Sequence, residues 1–443
     1  MTQLPVYNTP DWQMDYLPVD RLREIQLDRL KAMVGYVWDE TPFWRARMEN
    51  AGITPDDIQT LDDIRLIPAV TKQDLQVDQV AHPPFGSYVG TPRTHWVKMT
   101  ATSGTTGTPL RRVFSRRDWS AILDRFQRAA TLGPGDTLIV LGPTDGLIGP
   151  TISAAAGERA GALVIHAGRY DTRQRLEAIA EFRPRSVSAT ASYLIHLAEE
   201  AARLGIDIRS AGVRTVQSVG EPGAAVPETR RRLEKAWGAD VIDGYGLTEI
   251  FPLGGSRPWS PDLHISRDMA LVEILNPETD EPVAPGELGE LVVTNLIGDT
   301  QPLLRYRTRD LVYEQTDDTE ARGFTGVRLA SGIRGRIDDM IWYRGANIFP
   351  SAIESAVRRF DALGPEYQIE IDDADMPTLT VRVEPARGDR LDAAPLGAFE
   401  EALKAAIKVR PRIDVVPAGT LPRADDRKKT RRVIDRRTER QRT

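Results

Sequence analysis

The stretch "RSVSATASYLIHLAEEAARLGIDIRSAGVRTVQSVG", residues 185–220, decides the fold. A short apolar run, "RSVSAT", leads into an amphipathic pattern over Tyr193–Leu204, and a second short run, "RTVQSVG", follows. Strand, helix, strand in that order implies two parallel strands with the helix crossing over one face. Working outward, the unit repeats. "DTLIVLG" and "GALVIHAG" come before it, "ADVIDGYG" after it, with helical patterns at Thr172–Phe182 and Val226–Trp237. The expectation is an α/β protein whose parallel sheet is covered by helices on both faces. Such sheets bind ligands at the carboxyl ends of their strands, which places "SVGEPG" (218–223) and "DGYGLTE" (243–249) on one rim.

Upstream, Leu22, Ile25, Leu30, Met33, Val34 and Val37 recur at helical spacing and predict an N-terminal packing helix over Leu22–Trp38. Downstream, "ALVEILN" and "GELVVTN" bracket the turn-rich "PETDEPVAPGELG" and read as a hairpin in a β-rich subdomain outside the parallel sheet. Beyond a border near Arg336–Asp339 the pattern becomes a small α+β domain. It has a strand and turn in "DMIWYRG", a helix opened by Pro350 with a Ser351–Glu354 capping box, strands in "YQIEID", "TLTVRVEP" and "RIDVVP", and a helix over Leu396–Val409. The division expected is 1–337 for the large N-terminal domain and 338–443 for a mobile C-terminal one.

Composition narrows the chemistry. With 443 residues, 41% apolar and 28% charged, the chain has the make-up of an ordinary globular protein. Its net charge of -6 argues against nucleic acid as a partner, and no stretch approaches the roughly 18 apolar residues of a membrane span. A cytoplasmic location is the default expectation. Cysteine is absent, so thiolate catalysis, disulfides and thiolate zinc sites are excluded. The five histidines, His82, His95, His166, His196 and His264, show no ligand spacing and read as structural or substrate-adjacent.

"TATSGTTGTPLRR", residues 100–112, offers amides and hydroxyls rather than core, and phosphate is its first candidate ligand. It matches neither the mononucleotide P-loop nor the dinucleotide fingerprint. With "DGYGLTE", "RYRTRDL", "GRIDDMIWYRGANIFP" and "LPRADDRKKTRRVID" in fixed order, it resembles the adenylate-forming superfamily of acyl-CoA synthetases, and among them the phenylacetate-CoA ligases. The likeness covers nearly the whole chain.

That resemblance implies ATP-dependent activation of a carboxylic acid to an acyl-adenylate, followed by transfer to CoA. It places the phosphates on Thr102, Ser103, Gly104, Thr105, Thr106 and Gly107, and the nucleotide also against Gly220, Glu221, Pro222 and Gly246. It stacks Tyr245 on adenine, sets Thr248 on a phosphate and Glu249 on magnesium, and gives the ribose to Asp310. Arg336 would contact the nucleotide, Asp338 would be the hinge, and Gly345 would line the tunnel for the pantetheine arm. Asp145, Ile148 and Gly244 would line the acyl pocket, where Asp145 either sits at a wet rim or meets an amino or hydroxyl donor on an aromatic acid.

The chain departs from the pattern in three places. Arg309 stands where glycine is usual, as a solvated side chain or a phosphate contact. Two extra residues near the end leave Lys429, with Lys428 second, as the catalytic cation. The segment before "GRIDD" lacks the cysteines that hold zinc in relatives, so no zinc is expected. Two alternatives stay open: the same adenylation with transfer to an amine or a carrier-protein thiol, and a nucleotide-binding module without catalysis. The partners are otherwise small molecules, with a homodimer left open.

Overall fold

The computed structural model describes residues 11–102, 108–127, 132–221, 223–317, 321–372, 374, 377–386, 390–423 and 432–437. The N-terminal helix runs Val19–Glu40 and buries the six apolar positions named above, because they repeat every three to four residues along one face. After it, β1 (Trp96–Ala101) and β2 (Arg111–Ser115) form an antiparallel hairpin whose connection carries the glycine-rich loop. Thr102 closes that connection: its N–H donates to the Leu110 carbonyl at 3.0 Å, and its hydroxyl accepts from the Leu110 N–H at 3.0 Å.

The central sheet begins with β3 (Thr137–Val140), β4 (Leu163–His166), β5 (Ser186–Ala189), β6 (Thr215–Val219) and β7 (Asp240–Leu247), all parallel to their neighbours. It continues antiparallel through β8 (Phe251–Arg257), β9 (Ser260–Ile265) and, later in the chain, β13 (Val327–Leu329). The spatial order is β13-β9-β8-β7-β6-β5-β3-β4. Strand β9 approaches so closely that a Cβ on Gly254 would lie 1.9 Å from the His264 carbonyl oxygen; only glycine fits there.

β10 (Ala270–Leu275) and β11 (Leu288–Asn295) pair antiparallel in a second sheet with β12 (Tyr306–Tyr313) and β14 (Gly335–Arg336). Next come the two-stranded β15 (Ile341–Tyr343) and β16 (Ala346–Ile348). Their two-residue turn holds Arg344 at φ 49° and Gly345 at φ 79°, the left-handed pair that suits a tight hairpin. The last sheet, β19-β18-β17-β20, contains β17 (Leu363–Ile371), β18 (Leu379–Pro385), β19 (Arg412–Val415) and β20 (Val433–Asp435), with its own apolar core against the helices Pro350–Arg358 and Ala393–Ile407.

The capping box expected at Ser351–Glu354 does not form. Phe349 holds the cap position, and the Ser351 hydroxyl reaches the Arg334 carbonyl, across the connection from β14. Glu354 instead accepts from Arg358 and from the Tyr367 hydroxyl, both at 3.3 Å. The C-terminal sheet and helices dock on the helix Pro227–Trp237 through Ser355 to Glu228 at 3.1 Å and Lys235 to Asp361 at 3.0 Å.

Candidate active site

Four of the expected residues meet at the carboxyl end of β7. Asp310 on β12 is 3% exposed; its Oδ2 accepts from the Tyr245 hydroxyl at 2.7 Å and its Oδ1 from Arg336 Nη1 at 2.9 Å. The ladder between β12 and β14 sets Asp310 directly opposite Arg336, so the ion pair follows from strand register. Burial pushes the Asp310 carboxyl up to about 6. The Tyr245 ring is 9% exposed and belongs to the main core, so little of it is free for stacking.

Glu249, 5% exposed, is ion-paired to Lys72 Nζ at 3.2 Å. Lys72 opens the helix Lys72–Ala81, and only folding brings it to Glu249. Thr248 is half-buried in the turn after β7, and Gly246 is exposed; a Cβ on it would lie 2.5 Å from Pro252 Cα, too close for any side chain. Gly220 ends the turn after β6 with φ 90°, and Glu221 accepts from the Ser192 N–H at 2.5 Å. The Glu249 carboxylate is the ligand type that suits magnesium, which binds proteins through one or two carboxylates and completes its shell with phosphates and water. Among the described residues no group of three or more His, Cys, Asp or Glu side chains is arranged to hold a metal by itself. Ser103, Gly104, Thr105, Thr106, Gly107, Pro222, Lys428 and Lys429 lie outside the described residues.

Arg309 is partly exposed and ion-paired rather than free. It occupies φ 64°, the left-handed backbone that glycine favours, and its Nε donates to Asp338 Oδ1 at 3.1 Å. Its N–H donates to Glu290 Oε1 at 3.1 Å. Asp338 also faces Arg336 Nη2 at 3.5 Å, so the expected hinge is clasped by two arginines. At Gly345 an added Cβ would meet no protein atom, and the turn conformation alone accounts for the glycine.

A cavity of about 80 Å³ lies behind Gly244, between the central sheet and the helix Arg116–Gln127. In the ladders Val219 is opposite Gly244, Gly244 opposite Gly255, and Gly255 opposite His264, so these four share one sheet face and all line the cavity. Asp145 is exposed and Ile148 packs against the main core; neither lines it. Asp145 thus lies at the solvent-exposed rim, one of the two positions expected for it, and the cavity itself lies on the face of β6–β9. Sequence reading missed β8 and β9, whose Gly- and Pro-rich "FPLGGSR" lacks a strand-like alternation.

The fold, with Tyr245, Asp310, Arg336 and Glu249 gathered near one end of β7, is that of an adenylate-forming enzyme. The chain belongs to the AMP-binding enzyme family, whose model matches residues 67–296, and the AMP-binding enzyme C-terminal domain matches residues 345–437. It is 33% identical to phenylacetate-coenzyme A ligase of Escherichia coli over 86% of both chains, and 32% identical to that of Pseudomonas putida over 93% of this chain and 94% of the relative. Solved structures of 2-hydroxyisobutyryl-CoA ligase cover 98% of this chain and 94% of their own at 31% to 32% identity. The TM-score is 0.87 for that enzyme in its postadenylation state and 0.72 in its thioesterification state. With these relatives the protein is an AMP-forming acid-CoA ligase. No helix among the described residues is long and apolar enough to cross a membrane.

Proposed function

We propose that the enzyme activates a compact carboxylic acid, a single aromatic ring or a short branched chain. The cavity behind Gly244 carries this reading: about 80 Å³ in volume, it suits a small acyl group. In the first step a carboxylate oxygen attacks the α-phosphorus of ATP and pyrophosphate leaves. In the second the CoA thiol loses its proton, its sulfur attacks the acyl carbonyl, and AMP departs with the former carboxylate oxygen.

Asp310 is suited to accept the ribose hydroxyls, since its two oxygens already receive donors that hold it in place. Glu249 is the residue that would hold magnesium, which when bound neutralises phosphate charge. Lys72 keeps that buried carboxylate paired. The loop Thr102–Thr108 would present amides to the β- and γ-phosphates, and Lys429 would place its charge over the α-phosphate, worth about 10²- to 10³-fold in rate. The small domain, 338–443, would turn about Asp338 between the two steps, with Gly345 entering for the second. The likeness to a postadenylation state supports this, because the same fold scores lower against the thioesterification state.

The test supplies ATP, magnesium, CoA and a panel of acids graded by size, and measures AMP and acyl-CoA. AMP and thioester should form in equal amounts with phenylacetate- and isobutyrate-sized acids, and more slowly with long-chain acids. Comparable rates with long-chain acids would refute the compact pocket.

A further inference from the structure

The contact between the two domains deepens this reading and rests on it, because it bears on which half-reaction the enzyme is set to perform. Among the described residues no apolar cluster spans the domains: one lies wholly within residues 341–433, and the others end by residue 333. Interfaces between domains stay put when they are large and apolar, and polar ones part readily. The present arrangement is therefore held by hydrogen bonds and charges.

On the helix Pro227–Trp237, Glu228, Arg232 and Lys235 follow one another at helical spacing and form one stripe. Each reaches the C-terminal domain. Glu228 accepts from the Ser355 hydroxyl at 3.1 Å and faces Arg359 at 3.8 Å. Arg232 donates to the Leu363 carbonyl at 3.3 Å and to Glu199, on the helix Ala191–Arg203, at 3.4 Å. Lys235 donates to Asp361 at 3.0 Å. Ser355, Arg359, Asp361 and Leu363 run from the helix Pro350–Arg358 through the turn into β17, so one stripe holds one continuous segment. Burial pushes the Glu199 carboxyl up, against the pull of Arg232 and of Arg358 and Arg423 on the C-terminal domain. Carboxylates of the large domain thus face arginines of the small one, and a turn of the small domain about Asp338 must part them. An exposed ion pair alone contributes little, but several on one rigid helix act together.

We propose that Glu228, Arg232 and Lys235 are positioning residues that hold the C-terminal domain in the arrangement serving adenylation, so that the strength of this polar stripe sets the balance between adenylation and thioester formation. None of the three takes part in the displacement at phosphorus. The likeness of the present arrangement to a postadenylation state fits this role.

The experiment measures the ratio of pyrophosphate exchange to thioester formation from supplied acyl-adenylate in the full-length protein, with phenylacetate or isobutyrate, whichever the parent activates faster. Glu228→Arg turns attraction to Arg359 into repulsion and should lower the ratio by about 2- to 30-fold. Adding Arg359→Glu restores an opposite-charge pair, and the Ser355 hydroxyl can donate to a carboxylate or leave its oxygen to a guanidinium. The swapped protein should therefore regain the parent ratio, whereas damage to the helix alone would persist in it. Because the chain has no cysteine, Lys235→Cys with Asp361→Cys can be joined cleanly by a short bis-maleimide. The joined protein should keep pyrophosphate exchange and lose thioester formation. A parent-like ratio in Glu228→Arg, failure of the swap to restore it, or undiminished thioester formation in the joined protein would each overturn the inference. Absence of both half-reactions in the parent with every acid would instead overturn the ligase reading, and this inference with it.

Discussion

Replacing Arg309 by glycine separates two effects that the backbone and the side chain set against each other. At φ 64° a residue with a Cβ carries about 1 kcal/mol of strain, which glycine relieves. Glycine also gives back roughly 0.5–1 kcal/mol through the greater freedom of its unfolded chain. These nearly cancel, and the N–H to Glu290 survives the change, so the melting temperature should move by less than about 4 °C. The ion pair to Asp338 does not survive. Its members are 36% and 54% exposed, so screening limits it to about 0.2–1 kcal/mol. That bond exists only while Asp338 holds its present orientation, and its loss should shift the balance of domain arrangements by about 1.4- to 5-fold away from the present one. Pyrophosphate exchange should fall by that factor relative to thioester formation from supplied acyl-adenylate, at unchanged global stability. An unchanged ratio of the two half-reactions in Arg309→Gly would refute the assignment of Arg309 as a clasp on the hinge.

Glu249→Gln removes the charge that would hold magnesium, and exchange should drop by about 10²-fold or more at saturating ATP; parent-like exchange across a magnesium titration would remove the assignment. Lys429→Ala should slow adenylation about 10²- to 10³-fold while sparing thioester formation from adenylate, and the same defect in Lys428→Ala instead would move the role by one residue. Because burial raises Asp310 to about 6, this carboxylate, proposed to receive the ribose, is ionised above that pH and protonated below it. The KM for ATP should therefore rise as pH falls through about 6, and in Asp310→Asn it should be raised at all pH values without that inflection.

The alternation of short apolar runs with amphipathic stretches carried the parallel half of the central sheet, since a fully buried strand needs little beyond a run of β-branched residues. Arg336, Asp310 and Tyr245 stand in motifs close to a strand end, so local sequence already points at them. Lys72 and His264 do not. Lys72 is one more charged residue at the start of a helix until the fold carries it to Glu249, and His264 is one of five scattered histidines until the register of β8 and β9 buries it opposite Gly255. The Ser351–Glu354 spacing fits a capping box, yet a carbonyl from Arg334, distant in the chain by a turn and a hairpin, competed successfully for the serine hydroxyl. At Asp145 the sequence left a wet rim and a buried contact both open, and exposure places it at the rim.

The claim that this protein joins an acid to CoA through an acyl-adenylate is tested most directly by isotope transfer. With a carboxylate labelled by oxygen-18 in both positions, attack on the α-phosphorus makes one labelled oxygen the bridge, and thiol attack at the carbonyl leaves it on AMP. Mass spectrometry should find the product AMP heavier by one oxygen-18 and the released pyrophosphate unlabelled. Unlabelled AMP, or label appearing in inorganic phosphate beside ADP, would contradict the account.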